Sequence, residues 1–156
     1  MKSKLLAIIA IAFLSAPLSN AVAGELPQWF LNALKVKNPN ELPIRTLADE
    51  DCPFAEDEMG DIVSGVLIRS RVKPLPVIEV VLNSLYLFVQ LSCIEEEGNQ
   101  TYTLSVYFGK ISGTVSYLID WPYGTFGRND KAGMTTVIKG RVEAAITDFI
   151  KANLDL

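Results

Sequence analysis

The sequence predicts an α+β fold, in which an antiparallel β-meander of three to four strands packs against a long C-terminal helix, with two N-terminal helices and one disulfide. Apolar residues recur at helical spacing before residue 67 and after residue 134. Between these regions, apolar and polar residues alternate along three segments separated by turn residues. An apolar helix stripe needs a partner, and one face of a small sheet supplies it, so the expected element order is α-α-β-β-β-α.

Two helices are expected at the start of the domain. The first lies within residues 24–38, where Trp29, Phe30 and Leu34 would share one helix face. Residues 38–50 are rich in turn residues and prolines and are predicted to be an irregular connection. The second helix is predicted over residues 53–67, since acidic residues fall in its first turns and its apolar residues recur at helical spacing: Met59, Ile62, Val63 and Val66.

The sheet is predicted from the three alternating segments. The first covers residues 82–95, and a turn signal at residues 97–100 joins it in a hairpin to the second, at residues 102–108. The third covers residues 115–121. Residues 69–73 are predicted to be extended, because Pro74 and Pro76 bar a helix beyond them, and they are the candidate for an additional edge strand.

The last part of the chain is predicted to be a loop followed by the longest helix. Residues 122–130 combine glycines with aromatic residues and an arginine. From about residue 134 to residue 153, apolar residues repeat at helical spacing: Ile138, Val142, Ala145, Ile146 and Phe149. We expect this helix to cover one face of the sheet.

The N-terminus has the three parts of a secretory signal peptide. Lys2 and Lys4 precede an apolar run that ends at Leu14, and small residues at 21–23 provide a cleavage site before Gly24. The alternative, a membrane anchor, needs roughly 20 apolar residues, whereas polar residues and a proline interrupt this run. We therefore expect residues 1–23 to be cleaved and residues 24–156 to form a single domain. The protein is expected to be exported to the periplasm or the cell exterior, without a stable membrane anchor.

Charge and cysteine content narrow the functional classes. Loss of Lys2 and Lys4 reduces the basic residues from 14 to 12 against 18 acidic residues, which changes the formal charge from −4 to −6. An acidic domain repels phosphate backbones, so nucleic acid is not an expected partner. Cys52 and Cys93 are the two cysteines, and an even number in an exported chain predicts a disulfide between them.

The sequence lacks the residues of the common catalytic and metal sites. It contains no histidine, which removes His-assisted nucleophiles and the usual zinc sites. The acidic residues between Asp49 and Asp61 lack the spacing of a calcium loop. We therefore predict no cofactor, no metal ion and no enzymatic activity. One alternative is a glycoside hydrolase that uses Asp120, beside Trp121, with a second carboxylate that the sequence does not identify.

A first candidate binding surface is the loop after the third strand. Aromatic and arginine side chains dominate interaction hot spots. This loop contains Trp121, Tyr123, Phe126 and Arg128. In the alternative interpretation, Trp121 and Phe126 fold back onto the core beneath the last helix.

A second candidate surface is a group of basic residues. Arg69, Arg71 and Lys73 alternate, so on a strand all three would lie on one face and form a site for an anionic ligand or an acidic partner. The alternative is that these charges protect a sheet edge from pairing with another chain.

Several segments resemble small periplasmic proteins of bacteria. They are Cys52-Pro53 at a helix start, residues 67–73, the cysteine that ends a long strand, residues 123–127 and residues 147–154. The resemblance covers most of the chain after the signal peptide. It implies an exported protein and implies no particular activity.

The leading functional hypothesis is an exported, non-enzymatic binding module. It would hold another envelope or secreted protein, or another envelope component, through the loop at residues 121–128 and the basic residues at 69–73. The alternatives are a small hydrolase that acts on envelope polysaccharide and a structural or assembly protein that pairs through an exposed sheet edge.

Overall fold

The computed structural model describes residues 26–76, 84–96, 99–112, 115–119 and 123–154. The predicted signal peptide lies outside these ranges. Within them, the chain forms three helices and six strands in this order: α1 (Gln28–Leu34), β1 (Glu41–Ala48), α2 (Glu56–Arg69), β2 (Lys73–Pro76), β3 (Leu85–Glu96), β4 (Asn99–Ser112), β5 (Val115–Ile119), β6 (Thr125–Asn129) and α3 (Lys131–Leu154).

The six strands form one mixed sheet. Its order is β2-β1-β3-β4-β5, and β6 pairs with β4 along the same edge as β5. β1 is parallel to β2 and β3, whereas the pairs β3–β4, β4–β5 and β4–β6 are antiparallel. The α+β class, the hairpin and the C-terminal helix are confirmed. The prediction of an antiparallel meander of three to four strands is wrong.

The core lies between the sheet and the three helices. α2 packs on β1, α3 packs on β4, and α1 and α2 both contact α3. The buried positions of β3 and β4 alternate as predicted, and every second residue from Leu85 to Cys93 and from Tyr102 to Phe108 is buried. The predicted stripe of α3 is also buried: Ile138, Val142, Ala145, Ile146 and Phe149.

β1 occupies a segment that was predicted to be an irregular connection. Leu42, Ile44, Thr46 and Ala48 alternate toward the core, but Pro43 hides the pattern in the sequence. β1 pairs with β2 over residues 41–44 and with β3 over residues 44–48. Pro43 therefore lies where β1 pairs with β2 alone, so its missing N–H costs less than it would in a strand paired on both sides.

The turn after α2 replaces the extended segment predicted at residues 69–73. Val72 N–H donates to the Leu67 carbonyl at 2.9 Å and Arg71 N–H donates to the Ile68 carbonyl at 3.0 Å. These two bonds define a Schellman motif, whose left-handed position is usually glycine. Here Arg71 occupies it, with φ of 62°. Arg69 thus ends the helix, and the edge strand begins only at Lys73.

β6 lies inside the segment that was predicted to be a loop. Its residues pair with residues 100–104 of β4. Gly127 faces Tyr102, and a Cβ at that position would lie 2.9 Å from the tyrosine hydroxyl oxygen. A side chain at position 127 would therefore force the Tyr102 ring to shift, and the glycine interrupts the alternation that would have indicated a strand.

The predicted disulfide between Cys52 and Cys93 is confirmed. It joins the connection between β1 and α2 to β3, and both cysteines are buried. None of the helices within the described ranges could span a membrane.

Candidate functional site

One face of the sheet is not covered by the described helices, and we call it the outer face. Side chains alternate across a strand, so the residues between the buried positions point to this side. The pairing register aligns the central ones in three rows across the strands: Arg45–Phe88–Tyr107, Leu47–Gln90–Ser105 and Ser92–Thr103–Phe126. These nine residues are the central rows of the outer face.

The middle of the central rows is polar. Gln90, Ser92, Thr103 and Ser105 occupy adjacent positions on β3 and β4. Within the described parts of the chain, none of their side chains has a hydrogen-bond partner. Four neighbouring side chains on β3 and β4 therefore have unused hydrogen-bonding groups.

Aromatic side chains lie at both ends of this polar region. At one end the Arg45 guanidinium lies 5.9 Å from the ring centroid of Phe88, within the range of a cation–π contact. Tyr107 is the neighbour of Phe88 on β4. At the other end, Phe126 is 85 % exposed, the most exposed large apolar side chain of the described residues. A ring this exposed is available to stack on a ligand.

Tyr86 lies on β3 two residues before Phe88, and its ring extends across β4 toward β5. Its ring lies across Gly109 on β4, where a side chain would collide with it. Its hydroxyl shares a 2.6 Å hydrogen bond with the hydroxyl of Ser116 on β5. The ring thus links three strands and fixes the register of the outer face.

The structure separates Tyr123 from Phe126 and Arg128. Tyr123 is buried on the helix side, where its ring contacts Phe30 and Phe108, so the structure does not support it as part of an exposed surface. Phe126 and Arg128 lie on β6 with their side chains on the outer face, and the suggestion that Phe126 folds onto the core is wrong. Trp121 lies outside the described residues.

The environment of Tyr123 is that of a structural side chain. Its hydroxyl donates a 2.9 Å hydrogen bond to Asp148 on α3. Burial is the main cause that raises its pKa above the ordinary tyrosine value, and the charge of Asp148 and the hydrogen bond raise it further. Tyr123 therefore remains protonated and ties the start of the β6 region to α3. Asp120, the candidate catalytic residue, is outside the described residues.

The three basic residues also separate. Arg69 is on α2 and pairs with Glu143 at 3.3 Å, and Lys73 is on β2 and pairs with Glu41 at 3.3 Å. Arg71 lies in the turn between them. The prediction that the three share one strand face is wrong, because the Schellman turn divides them between a helix, a turn and a strand.

The β2 edge of the sheet is poorly suited to pairing with another chain. The Lys73 N–H donates inward to the Asn40 carbonyl at 2.7 Å. Successive residues of a strand point their backbone groups to opposite edges. Since Lys73 points inward to β1, the residues of β2 that point outward are Pro74 and Pro76, and proline has no N–H. This edge offers no backbone donors, which disfavours assembly through it.

The sequence contained part of the signal for the outer face. The alternation placed Phe88, Gln90 and Ser92 on one side of β3, and Thr103, Ser105 and Tyr107 on one side of β4. The sequence did not show which of them are neighbours, nor that β1 and β6 add Arg45 and Phe126 to the same rows. Those positions follow from strand pairing alone.

Comparison with protein-family models finds no matching family, and a search of curated proteins finds no match to this sequence.

Proposed function

We propose that this protein is an exported, non-enzymatic binding module that holds a linear, uncharged envelope polysaccharide on the outer face of its sheet. The observation that carries the proposal is the arrangement of the central rows, where unpaired polar side chains lie between aromatic ones. A sugar chain offers the matching chemistry, since each ring has an apolar C–H face and hydroxyl groups at its edge.

The dimensions of the central rows suit an extended ligand. Tyr107 and Thr103 are four residues apart on β4, which corresponds to about 14 Å along a strand. Phe126 lies beside Thr103 on the neighbouring strand. Aromatic rings at the two ends would stack on sugar faces, while Gln90, Ser92, Thr103 and Ser105 would bind the hydroxyl groups between them.

The distribution of polarity favours a polysaccharide over a protein partner. Protein interfaces have an apolar core and a polar rim. The outer face has the reverse order, because the polar residues of β3 and β4 lie between large apolar side chains: Leu47 and Phe126 at the outer ends of two central rows, and Ile94 and Leu118 beyond the rows. A protein partner would place the apolar core of its interface against the polar centre of the outer face.

The charge of the surface favours an uncharged ligand. Arg45 is the single charged side chain in the central rows. The chain as a whole carries a formal charge of −4, so a polyanion is repelled at long range. Hydrogen bonding and stacking are the interactions that this surface offers.

Two observations support export. Residues 1–23 have the pattern of a cleavable signal peptide. The Cys52–Cys93 disulfide is of the kind that forms and persists in oxidising compartments such as the periplasm or the cell exterior.

The test is retention of the oxidised protein on immobilised polysaccharides. Chitin and amylose serve as uncharged chains and alginate as an acidic one. We expect retention on an uncharged chain, and we expect Phe126→Ala to weaken it about tenfold, because stacking on an exposed ring contributes on the order of 1 kcal/mol or more. Ile68→Ala is the matched control, since Ile68 is 63 % exposed on the helical layer.

Three outcomes would contradict stated parts of the proposal. Retention on alginate alone would contradict an uncharged ligand. Equal losses for Phe126→Ala and Ile68→Ala would contradict the outer face as the site. If none of the three polymers retains the protein, while capture from a polysaccharide-free envelope extract yields a protein that Phe126→Ala releases, the partner is a protein and the polysaccharide proposal fails.

A further inference from the structure

A pocket lies on the helical layer, where the turn after α2 meets the C-terminal end of α3. Its volume is about 310 Å³, near the lower end of the roughly 300–1,000 Å³ typical of small-molecule sites. Its apolar wall is formed by Pro39, Val72, Ile150 and Leu154. The outer face is on the opposite side of the sheet, so this pocket is separate from the proposed polysaccharide site.

Polar residues also line the pocket. Asn40, Ser70 and Arg71 line it, and none of their side chains has a hydrogen-bond or ion-pair partner among the described residues. Asn153 also lines the pocket, but its amide already donates to the Leu34 and Phe149 carbonyls and accepts from Val36 N–H. Three side chains with hydrogen-bond donors are therefore available to a ligand.

Arg71 is the distinctive member of this group. Its basic neighbours Arg69 and Lys73 each pair with a glutamate, whereas Arg71 has no carboxylate partner in the described part of the chain. It also occupies the left-handed position of the Schellman motif, which glycine adopts without strain. The chain thus places an unpaired guanidinium at a pocket, in a backbone conformation that disfavours arginine.

We propose that this pocket binds a small free carboxylic acid with a short apolar chain. The carboxylate would accept hydrogen bonds from Arg71, with Ser70 and Asn40 as additional donors, because a guanidinium matches a carboxylate in charge and geometry. The apolar chain would contact Ile150, Leu154 and Val72. The volume suits a small molecule.

The test is a titration of the oxidised, isotope-labelled protein with sodium hexanoate at neutral pH, followed by amide chemical shifts. We expect saturable shifts at the amides of Ser70, Arg71 and Val72. Hexanamide and hexylamine have the same apolar chain without the negative charge, and we expect each to bind at least about tenfold more weakly, because a charge-assisted hydrogen bond is lost.

Two variants of one residue separate charge from backbone structure. Arg71→Asn removes the charge and keeps a residue that tolerates positive φ, and it should weaken hexanoate binding about tenfold. Arg71→Lys keeps the charge and should weaken binding less than Arg71→Asn. Arg45→Asn, on the outer face, is the matched control and should leave hexanoate binding unchanged.

Two results would overturn the assignment. One is the absence of saturable shifts at the turn after α2 up to the solubility of hexanoate. The other is equal affinity of the wild type and a folded Arg71→Asn variant. Neither result bears on the polysaccharide site, since the two tests use different ligands and different faces of the molecule.

Discussion

Tyr123 illustrates how a single residue of the predicted contact loop takes a structural role. Its ring packs between Phe30 of α1 and Phe108 of β4, and its hydroxyl bonds to Asp148 of α3. Three elements therefore meet at one side chain. In the sequence, Tyr123 belongs to a segment of aromatic residues and glycines, and nothing in that segment indicates which rings face inward.

The raised pKa of Tyr123 predicts a specific dependence of stability on pH. The folded state keeps the Tyr123 proton, whereas the unfolded chain releases it above about pH 10, so the contribution of this proton to stability is present below that pH and is lost as pH rises above it. We expect the difference in free energy of unfolding between the wild type and Tyr123→Phe to decrease above about pH 10. Urea unfolding of both proteins below and above that pH measures it.

A difference that stays constant or grows with pH would contradict this assignment. Tyr117→Phe is the control, because Tyr117 is 47 % exposed on β5. The difference in free energy of unfolding between the wild type and Tyr117→Phe is not expected to decrease comparably.

At the scale of elements, Asn153 connects the ends of α1 and α3. Its side-chain amide donates to the Leu34 carbonyl at 3.0 Å, and its oxygen accepts from the Val36 N–H at 2.9 Å. Both partners lie at the C-terminal end of α1, where helix carbonyls lack partners within the helix. A short helix of seven residues is not stable alone, so its docking depends on contacts of this kind.

We expect Asn153→Ala to lower the free energy of unfolding by about 2 kcal/mol, because two partly buried backbone groups lose their partners. Amide hydrogen exchange should increase first in α1. Asn32→Ala is the control, since the Asn32 side chain is exposed and, among the described residues, accepts a hydrogen bond only from the Gln28 side chain of the same helix. Equal exchange in the two variants would show that Asn153 does not hold α1.

The elements that the sequence revealed are those with uninterrupted patterns. β3, β4 and α3 have long alternating or helical repeats, and they were predicted within a few residues at most ends. β1 and β6 were missed because Pro43 interrupts one pattern and Gly127 interrupts the other. Both residues are compatible with their strands only because of the neighbours they have, which local sequence does not specify.

At the scale of the whole molecule, the disulfide constrains the chain across the parallel part of the sheet. Cys52 and Cys93 are 41 residues apart, and α2 and β2 lie between them. Closing a loop of about 40 residues is worth on the order of 4 kcal/mol in the chain-entropy model. This pairing was predictable, because two cysteines leave a single possible intramolecular connection.

We therefore expect reduction, or the double change Cys52→Ala and Cys93→Ala, to lower the free energy of unfolding by about 4 kcal/mol. Denaturant unfolding with and without a reductant measures the loss. An unchanged midpoint on reduction would contradict a stabilising role for the bridge. The double variant should not respond to the reductant, which separates the effect of the bridge from other effects of the reagent.

The outer face is a property of the whole sheet. Its central rows combine residues from β1, β3, β4 and β6, which are far apart in sequence. Sequence alone identified Phe126 and Arg128 as candidate contacts, yet it grouped them with a loop and with Tyr123. The site could not be predicted further, because strand order and register bring its members together.

The measurement that tests the outer face most directly is side-chain footprinting by hydroxyl radicals, with and without the retained polysaccharide. We predict that oxidation of Phe126 and Leu118 decreases on binding, while oxidation of Ile68 and Trp29 on the helical layer stays unchanged. Protection of Ile68 and Trp29, with Phe126 still oxidised at its free rate, would contradict the account and place the binding surface on the helices.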